Sequence, residues 1–233
     1  MLDVKMLAQP DDVTCGPTSL QAVYAYYGDP ISLQQVIDEV DYLEEGGTLA
    51  VMLGLHALKR GYKATLISYN LHVFDPSWFF PRKVDLKEKL HASLKYKTST
   101  KTQWAMNAYI EFLELGGLIE FDDLRPALLK KYFNQNAPIL TGLSATYLYK
   151  SKREMEGDNK KTISNDLAGS PCGHFVVLSG YSERRKHVII ADPYKENPVS
   201  HDHYYKVRVG RLINAIMLGV ITYDANLLII QRK

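Results

Sequence analysis

Gln9-Pro-Asp-Asp-Val-Thr-Cys15-Gly-Pro-Thr-Ser-Leu-Gln-Ala-Val-Tyr-Ala-Tyr-Tyr-Gly28 is the stretch whose reading decides the fold. Pro17 has the pre-set φ of a first helical turn, and Leu20, Val23 and Tyr27 recur at helical spacing. Gly28 reads as the stop. Cys15 therefore stands where a short loop becomes a helix. There it faces unpaired backbone N–H groups and the positive end of the helix dipole, both of which favour thiolate over thiol. Gln9, six residues upstream, is placed to lay a side-chain amide beside the sulfur, where its N–H and a backbone N–H would stabilise an oxyanion.

A thiolate nucleophile needs a base, and the matching segment lies late in the chain: Cys172-Gly-His174-Phe-Val-Val-Leu-Ser-Gly-Tyr181, five polar residues, then His187-Val-Ile-Ile-Ala-Asp192-Pro193. Two β-rich runs joined by a polar turn read as an antiparallel hairpin. His174 opens the first strand and Asp192 closes the second. Folding the hairpin brings them within about two residues of register, roughly 7 Å or less between neighbouring side chains. A carboxylate there can orient an imidazole and stabilise its protonated form.

Together these segments resemble the papain-like cysteine peptidases that process bacteriocin leaders at a double glycine, and the wider set of stand-alone proteins similar to that peptidase domain. The resemblance rests on Gln-(five residues)-Cys-Gly-Pro, a helix ending in Tyr-Tyr-Gly, and the later Gly-His-Phe-Val-Val-Leu and Ile-(two residues)-Asp-Pro motifs. It covers roughly residues 5 to 70 and 136 to 193. It implies an α+β papain-like fold, with an N-terminal helical subdomain whose nucleophile helix packs on a C-terminal antiparallel sheet. It also implies roles: Cys15 nucleophile, His174 base, Asp192 orienting carboxylate, Gln9 oxyanion donor.

Composition sets the bounds. With 233 residues the chain fits one domain, here 1–233, carrying an insertion at about 70–118 and a flexible loop at about 150–169. Lys and Arg number 28 against 26 Asp and Glu, leaving +2, a balance that points away from nucleic acid. Residues 1–8 lead straight into the motif without a basic, then apolar, targeting pattern, and no apolar run is long enough to span a bilayer. A cytoplasmic protein with a peptide or protein substrate, no membrane partner, no cofactor and no metal is expected; oligomeric state is not legible.

Beyond the nucleophile helix, Ser32 caps a second helix, Gly46-Gly47-Thr48 starts a third that stops at Gly61, and Tyr62 to Ser68 alternates as a strand. Phe74 to Pro81 reads as an aromatic loop. Helices follow from Val84 and around Trp104, Ala108, Tyr109, Phe112 and Leu113. That aromatic stripe reads as core, with a lid over the cleft as the rival. Asp122 or Asp123 is expected to cap a helix with Pro126 in its first turn. Ala137 to Tyr147 reads as a strand, Lys150 to Gly169 as a polar loop at the cleft rim, Tyr204 to Val209 as a strand, Arg211 to Gly219 as helix, Gly219 to Tyr223 as extended, and Leu227 to Ile230 as a last strand.

Other residues have blander readings. Cys172, two residues before His174, shares its face on an extended segment and fills a small space or lines the cleft. A metal site of Cys15, Cys172 and His174 lacks paired cysteine spacing and a fourth ligand. His201-Asp-His203 is a weak ligand pattern on a polar turn. Functionally, a cysteine peptidase or amide hydrolase stands beside two alternatives: an acyltransferase or peptide ligase using the same site, and a non-catalytic peptide-binding adaptor.

Overall fold

The computed structural model describes residues 1–43, 46–81, 84–157, 162–223 and 225–233. The chain opens with three helices, α1 (Cys15–Tyr26), α2 (Leu33–Glu39) and α3 (Ala50–Lys59), and a strand, β1 (Lys63–Ser68). Ser32 caps α2 by accepting the Gln35 N–H. Gly46 and Gly47 form a turn at φ +87° and +74°, and the third helix starts later than expected, at Ala50. Next come α4 (Leu86–Leu94), α5 (Thr100–Glu114), a short β2 (Leu118–Glu120) that sequence reading missed, and α6 (Pro126–Asn134). Pro126 is the first residue of α6 as expected, but the cap is Arg125; neither Asp122 nor Asp123 serves.

The second half runs β3 (Ile139–Ser144), α7 (Ala145–Tyr149), β4 (Glu154–Glu156), β5 (Thr162–Ser164), β6 (Gly173–Ser182), β7 (His187–Ala191), β8 (Tyr204–Arg208), α8 (Val209–Leu218) and β9 (Asn226–Gln231). Three expectations change. The 137–147 strand ends at Ser144, whose hydroxyl caps α7. The 150–169 region, read as a loop, carries the two-stranded β4–β5 sheet; residues 158–161 of it lie outside the described residues. Gly219–Thr222 is 3₁₀-helical rather than extended.

The main sheet has seven strands in the order β2-β1-β9-β3-β6-β7-β8. Among the described strands, β1 and β2 pair in parallel and the other neighbours antiparallel. The last strand lies inside the sheet, between β1 and β3: Leu228 stands opposite Leu66 on one side and Leu140 on the other, joining the two halves of the chain. Helices cover both faces. Residues of α1, α3 and α5 meet Leu140, Phe175, Val177, Leu228 and Ile230, whereas α6, α7 and α8 meet Ile139, Leu143, Val176, Leu178, Leu227 and Ile229. A central strand buried on both sides is a continuous apolar run, which is why Phe175 to Leu178 and Leu227 to Ile230 show no polar alternation.

The aromatic stripe of α5 is core. Phe112 is fully buried, and a Cβ on Gly54 or Gly117 would stand 2.7 or 2.4 Å from its ring, so these glycines admit it between α3 and the chain leaving α5. Residues 86–120 thus pack on α3 and the β1–β2 edge, with β6, β7 and β8 at the other end of the sheet. Among the described residues, no helix is long and apolar enough to cross a membrane.

Candidate active site

Cys15 is the first residue of α1. Its neighbour Gly16 is there for proximity: a Cβ would lie 2.6 Å from Thr48 Cγ2 and 3.3 Å from the Phe175 ring. The missing side chain lets the helix start press against β6, and Ser19, one turn on, donates its hydroxyl to the Phe175 carbonyl at 3.2 Å. Thr14 precedes the helix but makes no side-chain cap bond; its hydroxyl instead donates to the Asp11 carbonyl. The first N–H groups of α1 are thereby left uncapped, the state in which a helix start can receive negative charge.

His174 is the second residue of β6 and is 7% exposed. Ala191 pairs with Val177, so Asp192 emerges one step beyond, and its Oδ1 lies 2.8 Å from His174 Nε2. Cys15 acts on the same ring, through a hydrogen bond and its charge. Burial pulls the imidazole's pKa down. The Asp192 charge and hydrogen bond, then the Cys15 hydrogen bond and charge, outweigh it and push His174 up to about 10.

Asp192 has no exposed surface, yet its carboxyl is held below the usual carboxylate range. Burial alone would raise it; the His174 charge and hydrogen bonds win. Four donors converge: His174 Nε2 and the Tyr194 N–H (2.9 Å) on Oδ1, and the hydroxyls of Tyr149 (2.7 Å) and Tyr205 (2.6 Å) on Oδ2. A carboxylate with four charge-assisted bonds tolerates a dry site that an unpaired one would not. His203 holds the backbone beneath it, its Nδ1 2.7 Å from the Asp192 carbonyl and its own carbonyl accepting the Asp192 N–H at 2.8 Å.

Sequence reading missed Tyr149, Tyr205 and the job of His203. Tyr205 had a signal, since the buried positions of β8 are its second and fourth. Tyr149 had none, because it falls between the strand expected to end at Tyr147 and the loop expected from Lys150, where the structure has α7. His201 is exposed at φ +53°, and among the described residues no cluster of His, Cys, Asp and Glu could hold a metal ion. Cys172 sits just before β6, its N–H on Thr146 Oγ1 at 3.0 Å and its thiol on the Gly173 carbonyl at 3.3 Å.

Gln9 is tied to the same corner: its N–H donates to the Pro193 carbonyl at 3.0 Å, one residue past Asp192. Its side-chain Nε2 donates to the Asp11 carbonyl at 2.7 Å, which fixes which end of the amide carries the N–H groups. One N–H of that amide is so engaged, and Oε1 is buried without a hydrogen-bond partner. Tyr204 pins the strap before Gln9, accepting from the Met6 N–H and donating to the Val4 carbonyl. Adjacent tyrosines of β8 therefore serve the two flanks of the site, one holding the N-terminal strap and the other Asp192.

The Peptidase_C39 like family matches residues 1–212. No curated protein matches the chain. Among solved structures, the chain is similar to a protein described as a C39-like peptidase from Bacillus anthracis, at 17% identity and a TM-score of 0.51, covering 100% of this chain and 96% of that one. It is also similar to a double glycine motif protease from an AMS/PCAT transporter, solved with its leader peptide (16% identity, TM-score 0.46, 100% and 94% covered). A third similar structure is the peptidase domain of Streptococcus ComA, a bifunctional ABC transporter of a quorum-sensing pathway (13% identity, TM-score 0.46, 99% of each chain).

Proposed function

The chain belongs to the Peptidase_C39 like family, and from that membership we propose that it cleaves a peptide or amide bond with Cys15 as nucleophile, His174 as acid and base, Asp192 as the orienting carboxylate and Gln9 as an oxyanion donor. The observation that carries this reading is the pairing of the buried Asp192 carboxylate with the buried His174 imidazole at 2.8 Å, with Cys15 at a helix start as the ring's second partner.

The thiolate of Cys15 attacks the carbonyl carbon; a C–S bond forms and the carbonyl electron pair moves to oxygen. The uncapped N–H of Cys15 and the second N–H of Gln9 Nε2 take the oxyanion. Its collapse breaks the C–N bond, and His174 gives its proton to the departing amine. In the thioester the sulfur carries no charge, so two of the contributions that raise His174 are gone. Its pKa falls, and the ring that has given up its proton stays neutral and free to take one from water. Water, deprotonated by His174, attacks the thioester and expels the thiolate. Substituting an amine for water gives the acyl-transfer alternative on the same residues.

The test is mass analysis of a peptide library incubated with the protein and with Cys15→Ala. Cleavage by the first and none by the second supports the reading; equal cleavage by both overturns it. Amine-capped products in place of acids would assign the acceptor rather than the nucleophile.

A further inference from the structure

A groove of about 730 Å³ opens where α7, the β6–β7 turn, β8 and α8 meet. Lys150, Lys186, Lys206, Arg208, Arg211 and His187 line it, and among the described residues no carboxylate does. Lys186 is answered by Glu183 at 3.1 Å. Among the described residues the other four cations have no ion pair. A chain with a net charge of only +2 has thus gathered four uncompensated positive charges around one concavity, an arrangement that repels itself until a counter-charge arrives.

The groove is also built to receive acceptors. Arg211 Nε and His187 Nδ1 are buried in its wall without a hydrogen-bond partner, while Arg211 Nη2 donates to the Leu148 carbonyl. Arg208, the residue before α8, makes no side-chain cap bond; the Val209 N–H is taken by the Lys186 carbonyl at 2.9 Å, but a Cβ at Gly210 would meet nothing within 4 Å, so a ligand can come up to the helix at Gly210. Lys150 and Lys186 hold left-handed backbone conformations, φ +56° and +52°, where glycine or asparagine is the easier choice.

We infer that this groove is a binding site for a small polyphosphorylated anion. One carboxylate would leave most of the charge unmatched. Linked phosphates supply several charges and rows of oxygen acceptors, and a planar guanidinium fork such as that of Arg208 takes phosphate oxygens in pairs. The site is separate from the catalytic row: Tyr205 binds Asp192 while Lys206 lines the groove, and Tyr149 and Lys150 divide in the same way. The inference stands whether or not the peptidase reading does, because binding is read without activity.

Pyrophosphate is the probe, titrated calorimetrically and by thermal shift into the full chain, into Lys206→Gln/Arg208→Gln, and into Lys87→Gln/Lys89→Gln, which removes two charges from the exposed side of α4. Saturable binding is expected in the parent, with a Tm rise of about 5–10 °C at a hundredfold excess over Kd. Affinity should drop about tenfold or more in the groove variant and stay unchanged in the α4 variant. Absence of saturable binding, or equal loss in both variants, overturns the site. Tighter binding of tetraglutamate than of pyrophosphate overturns the ligand class in favour of an acidic polypeptide.

Discussion

Two buried histidines in this molecule are built from nearly the same parts and come out with opposite charge preference. His174 lies between Asp192 and Cys15. His56 lies between Glu39, 3.0 Å from Nε2, and Tyr24, whose hydroxyl is 2.8 Å from Nδ1. Yet His56 is pushed below the ordinary imidazole range, because burial outweighs Glu39 and the Arg60 and Lys59 charges add to it. The first difference lies in the carboxylate. Asp192 is sealed, whereas the Glu39 side chain is 45% exposed and also accepts from Gln35, so water shares its charge. The second lies at the other ring nitrogen. Burial raises the Tyr24 phenol, which keeps its proton and donates it, so the neutral ring is fully satisfied. A thiol gives up its proton more readily than a phenol. An imidazolium is thus favoured only where a dry carboxylate and an ionisable partner flank the ring.

The comparison breaks first at the nucleophile. Cys15→Ala is expected to abolish turnover while leaving the unfolding midpoint within a few degrees, as checked by peptide cleavage and calorimetry. Asp192→Asn comes next. It keeps the shape but removes the charge that holds the imidazolium, so kcat/KM is expected to fall by about 10²–10⁴. The alkaline limit of kcat/KM, set by loss of the His174 proton that the leaving amine needs, should move down from about pH 10 toward neutrality. Glu39→Gln, the matching change at the other histidine, is expected to leave both activity and that limit unmoved.

A smaller effect sharpens the contrast. Tyr205→Phe or Tyr149→Phe removes one donor from a buried carboxylate and should cost about 1–3 kcal/mol of stability in urea unfolding. It should also raise the acid limit of kcat/KM, since Asp192 then protonates more easily, with KM unaltered. A tyrosine that merely filled space would lower stability and leave the pH profile in place.

Gentler still is the pH dependence of folding. His174 is raised in the folded state, so its contribution is complete below about pH 6.5 and drains away as pH climbs toward about 10. Asp192 is lowered, so its contribution holds above about pH 4 and fades on acidification. Urea midpoints are expected to decline from pH 7 to 10, and to decline less in Asp192→Asn.

Much of this was legible before any coordinates. Cys15-Gly-Pro marked a helix start, and Gly16 proves to be what lets that start touch Phe175. The hairpin motif brought His174 and Asp192 to neighbouring positions because strand pairing is a local consequence of the turn. What stayed hidden depends on long-range packing. Nothing in residues 226–231 says that the last strand slots into the interior of the sheet, between partners more than eighty residues earlier. Tyr149 and Tyr205 reach Asp192 from elements that meet only in the fold. Asp122 and Asp123 failed as caps because an Asp cap needs its backbone at the helix entrance, a place that Arg125 takes just ahead of Pro126.

The central claim is that Asp192 and Cys15 together keep His174 protonated where His56 stays neutral. Nuclear magnetic resonance titration of ¹⁵N-labelled histidine, with the two rings assigned through His56→Gln and His174→Gln, reads both at once. The account expects His174 to lose its proton near pH 10 and His56 to do so below about 6.5. A His174 ring that titrates at or below the ordinary value, or one indistinguishable from His56, would contradict it.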